Sequence, residues 1–253
     1  MTDLVRTRLE NAAFIIELNR PDRRNALASD MLDAFLDALH QAEQATEARI
    51  VVLRGVGKHF CTGLDLDEFY KSASATESDH HHDAERLAEI LLRLMRMEKP
   101  TLGLVQGRAL GVGATLAVSC DIVIASAGSQ LAFPEVSYGF VPAFAAAVLR
   151  RHIGDKAAFE LVATGRTLSG EDARVMGLVS RVVPDEGFDA VSGSTIRGLC
   201  NCAMDILTEV KRSFLETEGK PIEEALRISA VINARARASA SFREAAKQFL
   251  AMA

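Results

Sequence analysis

The sequence predicts an α/β protein in two parts, an α/β core over residues 1–184 and a helical region over residues 185–253. In the first part, apolar runs typical of buried strands end at glycines and alternate with segments whose apolar residues recur at helical spacing. Beyond Pro184 there is hardly any strand signal, and the helical patterns there are 203–217, 221–237 and 240–250. A chain of this length can bury one large core with a smaller appendage, or two modest domains.

The first elements are two strands and a helix. Residues 3–9 and 12–18 alternate in polarity, which predicts a pair of strands joined by a turn. Ser29 is the predicted N-cap of a helix with one apolar face. The continuous apolar run 50–55 (IVVLRG) follows as a buried strand. A helix leading into a buried strand is the start of an α/β unit.

The segment 71–83 (KSASATESDHHHD) is polar and of low complexity, so we expect an exposed loop there. Its three histidines are consecutive, which makes their side chains diverge and favours a solvated cluster over a metal site. The four cysteines have no zinc-like spacing and imply no disulfide framework. We therefore expect no metal.

The central stretch runs from Leu102 to Ser126 (LGLVQGRALGVGATLAVSCDIVIAS). A strand-like run ends at Gly107, a glycine turn follows at 111–113, and small apolar residues then continue at helical spacing. Asp121 opens the next strand-like run. A helix that starts directly after a glycine turn presents unpaired backbone N–H groups to a negative group.

Later elements of the core are shorter. The sequence predicts helices over 143–151 and 156–163, a helix from an N-cap at Ser169 to Met176, and a strand over 178–183.

Composition excludes several classes of function. The net charge of −5 argues against a nucleic-acid surface, which needs clustered basic residues. No apolar run reaches the roughly 18 residues of a membrane span. The first ten residues, MTDLVRTRLE, have the shape of neither a secretory signal nor a transit peptide, so we expect a cytoplasmic protein.

Three interpretations of the glycine turn are open from the residues alone. In a dinucleotide-binding fold, an acidic residue would end the next strand, whereas Asp121 begins it. In a purely structural interpretation, the glycines let a helix pack closely on a sheet. In an oxyanion hole, the helix N-terminus supplies one N–H donor and a second turn, such as 62–65, supplies the other.

Five motifs in order give the chain a resemblance to a known family. They are NRPDRRNAL, VVLRGVGKHFCTGLDLDEF, GRALGVGATLAVSCDIVIAS, FPEVSYGFVP and ATGRTLSGEDARVMGLVSRVV. With these motifs the sequence resembles the enoyl-CoA hydratase/isomerase (crotonase) superfamily along nearly its whole length. The resemblance implies a crotonase-like spiral of ββα units and a helical C-terminal region that drives trimer formation. It also implies a coenzyme A thioester as ligand.

The resemblance assigns roles to individual residues. The oxyanion donors would be the backbone N–H groups of Leu64 and Val112, although a valine at position 112 restricts φ where the family usually has glycine. The acyl-CoA contacts implied by the motifs are Arg24, Ala26, Thr62, Gly63, Asp65, Leu66, Gly111, Thr115, Pro134 and Tyr138. Asp65 has a second interpretation as the cap of the following helix, and Tyr138 as a packing residue.

The acid–base residues carry most of the information about the reaction. Hydratases of the family use two glutamates, whose positions are Thr115 and Glu135 here. Threonine cannot take up a proton at neutral pH, whereas Glu135 lies among apolar neighbours that raise the pKa of a carboxyl group. A single glutamate is the pattern of the family's enoyl-CoA isomerases, which we therefore prefer.

Two alternatives stay open. One is hydration of a 2-enoyl-CoA with Glu135 alone, and the other is a catalytically inactive CoA-binding or scaffolding protein. In each case we expect no cofactor beyond the coenzyme A of the ligand, a homotrimer or a dimer of trimers, and no nucleic-acid or membrane partner.

Overall fold

The computed structural model describes residues 3–252, so the outer ends of the two predicted parts, residues 1–2 and 253, lie outside it. The strands are β1 (Val5–Glu10), β2 (Ala13–Leu18), β3 (Ile50–Gly55), β4 (Thr101–Val105), β5 (Arg108–Leu110), β6 (Ile122–Ser126), β7 (Gln130–Ala132), β8 (Leu168–Ser169) and β9 (Arg181–Val183). The helices are α1 (Ser29–Gln44), α2 (Leu66–Lys71), α3 (Glu77–Arg96), α4 (Val112–Val118), α5 (Ala143–Leu149), α6 (Asp155–Thr164), α7 (Gly170–Val175), α8 (Phe188–Cys200), α9 (Met204–Thr217), α10 (Ile222–Arg237) and α11 (Ala240–Met252).

The α/β prediction is confirmed by a mainly parallel sheet with the order β1-β2-β3-β4-β6-β9. Only the β1–β2 pair of this sheet is antiparallel, because the short turn between them reverses the chain. The remaining pairs are parallel, as expected for strands joined by helical crossovers. A smaller sheet, β5-β7-β8, was not predicted as a separate sheet, since strands of two or three residues leave almost no periodic signal.

Both faces of the main sheet are covered. Alternate side chains such as Ile16, Val51 and Leu53 pack into the larger apolar cluster, which includes the buried faces of α1, α3 and α4. Their neighbours Ile15 and Val52 point to the other face and pack with residues of α8. This two-sided burial explains why the central strands are continuous apolar runs.

Three helices differ from the predictions made from the sequence. Ser29 is the first residue of α1 rather than its cap, because Ala28 holds the N-cap position without a side-chain bond. The expected loop 71–83 is largely helical, since Thr76 and Asp79 form a capping box that starts α3. Helix α8 was missed, because its glycines and small polar residues obscure the apolar spacing.

The C-terminal helices α9, α10 and α11 confirm the three predicted patterns to within a few residues. Helix α9 is tied to the core by the buried Lys211, whose ammonium contacts Asp121 at 2.8 Å. The same nitrogen donates to the carbonyl oxygens of Leu94 and Lys99, each at 3.3 Å. The division of the chain at Pro184 stays a prediction.

Candidate active site

An open cleft lies where two glycine turns and the 3-10 turn Glu135–Tyr138 meet. Most of the residues that the sequence analysis proposed for a site share this cleft. Those that line it are Thr62, Gly63, Leu64, Leu66, Gly111, Val112, Pro134, Glu135 and Tyr138. Arg24, Ala26, Asp65 and Thr115 lie outside its lining.

The first turn holds Leu64 in an extended segment next to Leu27. The N–H of Leu27 donates to the Gly63 carbonyl and the N–H of Asp65 donates to the Leu27 carbonyl, each at 2.8 Å. Because successive N–H groups of an extended chain point in opposite directions, the Leu64 N–H points away from Leu27. The turn requires glycine at position 63, where φ is +89°.

The second turn places Val112 at the first position of α4. The left-handed φ of this turn falls on Gly111, at +54°, so Val112 keeps a helical backbone that a β-branched residue tolerates. Every residue of α4 is buried. The packed helix therefore fixes the position of the Val112 N–H at the wall of the cleft.

The two turns touch each other. A Cβ atom added to Gly63 would lie 2.9 Å from the Leu110 carbonyl oxygen and 3.6 Å from the Val112 nitrogen. Within residues 3–252, neither the Leu64 N–H nor the Val112 N–H donates to an acceptor. Two adjacent unpaired N–H groups at one cleft wall are suited to an oxygen that gains negative charge.

Glu135 lies beside this pair of donors. A Cβ atom on Gly111 would come within 3.0 Å of the Glu135 Oε1. The Oε2 atom is buried and has no hydrogen-bond partner in the described part of the chain. Burial raises the pKa of the Glu135 carboxyl, since it disfavours the charged form. A buried carboxyl with a raised pKa and one unpartnered oxygen is suited to proton transfer.

Thr115 lies near the turn but does not line the cleft. Its side chain is buried, and its hydroxyl donates to the carbonyl of Gly111 at 3.1 Å. Among the described residues that line the cleft, Glu135 is the one carboxylate.

Asp65 is a structural anchor in this structure. Its carboxylate accepts from the N–H groups of Asp67 and Glu68 and so caps α2, as one of the two interpretations expected. It also pairs with Arg20 at 2.5 Å and with Arg23 at 3.3 Å. Burial opposes ionisation of Asp65, but the hydrogen bonds from the two guanidinium groups outweigh it and lower its pKa.

The two remaining residues lie near this anchor. Arg24 is exposed with a left-handed backbone, and its carbonyl accepts from the N–H of Thr62. Ala26 is buried, and its carbonyl accepts from Arg20.

Three apolar residues of the cleft were missed, namely Phe69, Leu110 and Phe140. The rings of Phe69 and Phe140 meet edge to face, with centroids 4.9 Å apart. All three lie inside the motifs quoted above, but nothing in the sequence distinguishes an apolar residue that lines a cleft from one that packs in the core.

The chain matches the family model for enoyl-CoA hydratase/isomerase over residues 8–252. The chain belongs to the enoyl-CoA hydratase/isomerase family. The family is one of enzymes that act on acyl-CoA substrates. The resemblance noted from the five motifs is thereby confirmed.

The names of two relatives describe different reactions. A Thermus thermophilus protein named as a candidate enoyl-CoA hydratase is 32% identical over 93% of this chain and 93% of its own length. The 1,2-epoxyphenylacetyl-CoA isomerase of Escherichia coli is 29% identical over 99% of this chain and 97% of its own length.

The crotonase fold is confirmed by solved structures. An enoyl-CoA hydratase of Mycobacterium smegmatis superposes with a TM-score of 0.93 and is 28% identical, covering 98% of this chain and 96% of that one. The human enoyl-CoA hydratase domain-containing protein 3 has the same fold, with a TM-score of 0.93 at 22% identity over 98% of each chain.

No cluster of three or more His, Cys, Asp and Glu side chains within residues 3–252 is placed to hold a metal ion. None of the helices there combines the length and the apolar character needed to cross a bilayer.

Proposed function

We propose that this protein is an enoyl-CoA isomerase in which Glu135 moves the proton and the N–H groups of Leu64 and Val112 hold the thioester oxygen. The observation that carries the proposal is the buried, unpartnered Oε2 of Glu135 next to two unpaired N–H donors. One carboxylate in the cleft is enough for a double-bond shift.

The proposed reaction begins with a 3-enoyl-CoA whose carbonyl oxygen accepts from Leu64 and Val112. The Glu135 carboxylate takes a proton from C2, and the electron pair moves into a dienolate whose oxygen is stabilised by the two N–H groups. The protonated Glu135 then returns the proton to C4, which gives the 2-enoyl-CoA and restores the carboxylate. The raised pKa of Glu135 makes it a stronger base for the first step.

The scheme needs no cofactor, because coenzyme A enters with the substrate. The acyl group would lie against Leu66, Pro134 and Tyr138, with Thr62, Gly63 and Gly111 forming the cleft around the thioester. For the coenzyme A part, we retain Arg24 as the proposed contact, since its side chain is exposed near Thr62. Ala26 and Asp65, which both bind Arg20, would hold the segment around Arg24 in place. Thr115 would act only through its hydrogen bond to the Gly111 carbonyl.

Hydration of a 2-enoyl-CoA is the second candidate, and the names of several relatives favour it. In this scheme Glu135 alone would deprotonate water and protonate C2. The Thr115 hydroxyl, which already donates to Gly111, would not replace a second carboxylate.

We also propose that the protein assembles as a homotrimer or a dimer of trimers through its C-terminal region. Large apolar side chains are exposed on three helices of this region, among them Phe214, Leu226 and Phe249. Light scattering of the purified protein would test this, and a monomer across micromolar concentrations would contradict it.

The test of function is turnover of short-chain 3-enoyl-CoA and 2-enoyl-CoA by the purified protein. We expect isomerisation of the former, and we expect Glu135→Gln to lower its rate roughly a thousandfold, because the amide cannot take the proton. Full activity of this variant would contradict the proposed role of Glu135.

The matched control is Glu186→Gln, which changes an exposed glutamate in another 3-10 turn, Asp185–Gly187. It should turn over substrate at the wild-type rate. Hydration without isomerisation would favour the second candidate, and CoA binding without any turnover would favour an inactive binding protein.

A further inference from the structure

A hydrogen bond joins the two walls of the cleft, and its donor residue, Tyr70, does not itself line the cleft. The phenol of Tyr70, at the end of α2, donates to the main-chain carbonyl of Tyr138 at 3.0 Å. The edge-to-face contact between Phe69 and Phe140 lies directly beside it. We call these four residues, Phe69, Tyr70, Tyr138 and Phe140, the strap.

The two segments that the strap joins lie near the surface of the protein. Neither α2 nor the 3-10 turn Glu135–Tyr138 contains a fully buried residue. Helix α2 is anchored at its N-terminal end, where Asp65 caps it and Glu68 accepts from the Ser29 N–H at 2.9 Å. At its other end, Tyr70 makes the contact to the opposite wall.

Each segment carries one part of the proposed chemistry. The Leu64 N–H lies two residues before α2, and Glu135 is the first residue of the 3-10 turn. The strap thus joins the segment that follows the oxyanion donor to the segment that carries the base. Tyr70 itself is absent from the cleft lining, unlike Phe69, Tyr138 and Phe140.

We propose that Tyr70 is a positioning residue, which closes the cleft over the acyl group by holding α2 against the turn that carries Glu135. It touches no reacting atom in this scheme. Short segments of this kind open and close readily, and one cross-cleft hydrogen bond shifts that equilibrium by a small but measurable factor. The inference rests on the proposed function for its link to turnover, whereas the closure itself does not depend on which reaction occurs.

The first experiment uses the ligand-free protein. Tyr70→Phe keeps the ring and removes the O–H, so we expect amide hydrogen exchange to accelerate by about three- to tenfold in both 66–72 and 135–140. The control is Ser72→Ala, which removes a hydrogen bond within the same region, from the Ser72 hydroxyl to the Phe69 carbonyl at 2.8 Å. In this control, exchange should change in 66–72 alone. Equal exchange of 135–140 in Tyr70→Phe and wild type would overturn the proposal.

The second experiment measures binding of butanoyl-CoA, a saturated thioester that cannot isomerise, and of free coenzyme A. Tyr70→Phe should release butanoyl-CoA about three- to tenfold faster and bind free coenzyme A as wild type does, because only the acyl group lies under the strap. A variant that weakens both equally would have a general structural defect, and that result would overturn the proposal.

Turnover separates this inference from the proposed function. If wild type isomerises no enoyl-CoA, the proposed function fails, while exchange and thioester release still decide the role of Tyr70. If wild type is active and Tyr70→Phe has unchanged kcat, exchange and release, then the strap fails and the proposed function stands.

Discussion

Two short helices begin at the glycine turns of the cleft, and they differ in how deeply they are buried. Helix α4 is buried along its whole length, whereas α2 has no buried residue. The Val112 N–H is therefore positioned by close packing, and the Leu64 N–H by a capping carboxylate with two arginines. One half of the site depends on steric fit and the other on charge, so different perturbations should affect each.

The largest effect is expected from Gly113→Ala, which tests the packed side. A Cβ atom there would lie 2.3 Å from the Cys61 carbonyl oxygen, a backbone atom that cannot rotate away. We expect the free energy of unfolding to fall by about 3 kcal/mol and the turnover to fall with it, because the two turns are forced apart. Urea denaturation measures the first quantity.

The control for this change is Gly198→Ala in α8, where an added Cβ atom meets nothing within 4 Å. It should raise the free energy of unfolding by about 0.5–1 kcal/mol, because alanine favours the helix. A Gly113→Ala protein as stable as wild type would refute the idea that α4 is held by close contact.

The second largest effect is expected from Asp65→Asn, which tests the charged side. Asparagine still caps a helix but leaves Arg20 without its buried partner, so the free energy of unfolding should fall by about 2 kcal/mol at neutral pH. Since the pKa of Asp65 is lowered by folding, its contribution is present above the unfolded value of about 3.9 and is lost as the pH falls through the folded value. The difference between variant and wild type should therefore shrink in acid.

Asp67→Asn is the matched control, because Asp67 pairs with the same Arg23 but is exposed. Its effect on the free energy of unfolding should be far smaller and should vanish in high salt. Chemical denaturation across pH 3 to 7 compares the two variants, and a pH-independent loss in Asp65→Asn would contradict the charge argument.

The smallest effect is expected from Glu68→Gln. Glu68 accepts from the Ser29 N–H at the start of α1, where a negative charge is favoured by the helix dipole. Glutamine keeps an acceptor and removes the charge, so we expect a loss of about 0.3–0.5 kcal/mol at low ionic strength. Added salt should abolish the loss, and a loss that persists in 1 M salt would show that the contact is not electrostatic.

Much of this arrangement follows from the sequence. The apolar run that starts at Leu102 and the glycine turn at 111–113 give the strand, turn and helix that place Val112, and the family motifs give Leu64 and Glu135. These signals are local, since each depends on the spacing of neighbouring residues.

The rest depends on partners far apart in the chain. Tyr70 and Tyr138 are separated by 68 positions, and nothing near either residue indicates that one binds the other. Lys211 occupies an ordinary place in a helical pattern, and its burial follows from Asp121 in another part of the fold. The capping box of α3 was available in the sequence as Thr76 and Asp79, but the polar composition around it favoured a loop.

The strap has one optical consequence. The chain contains two tyrosines and no tryptophan, and both tyrosines belong to the strap. Tyrosine fluorescence of the unlabelled protein therefore originates at the mouth of the cleft. Opening, closing and ligand entry there can be followed by tyrosine emission alone, with Tyr70→Phe leaving Tyr138 as a single reporter.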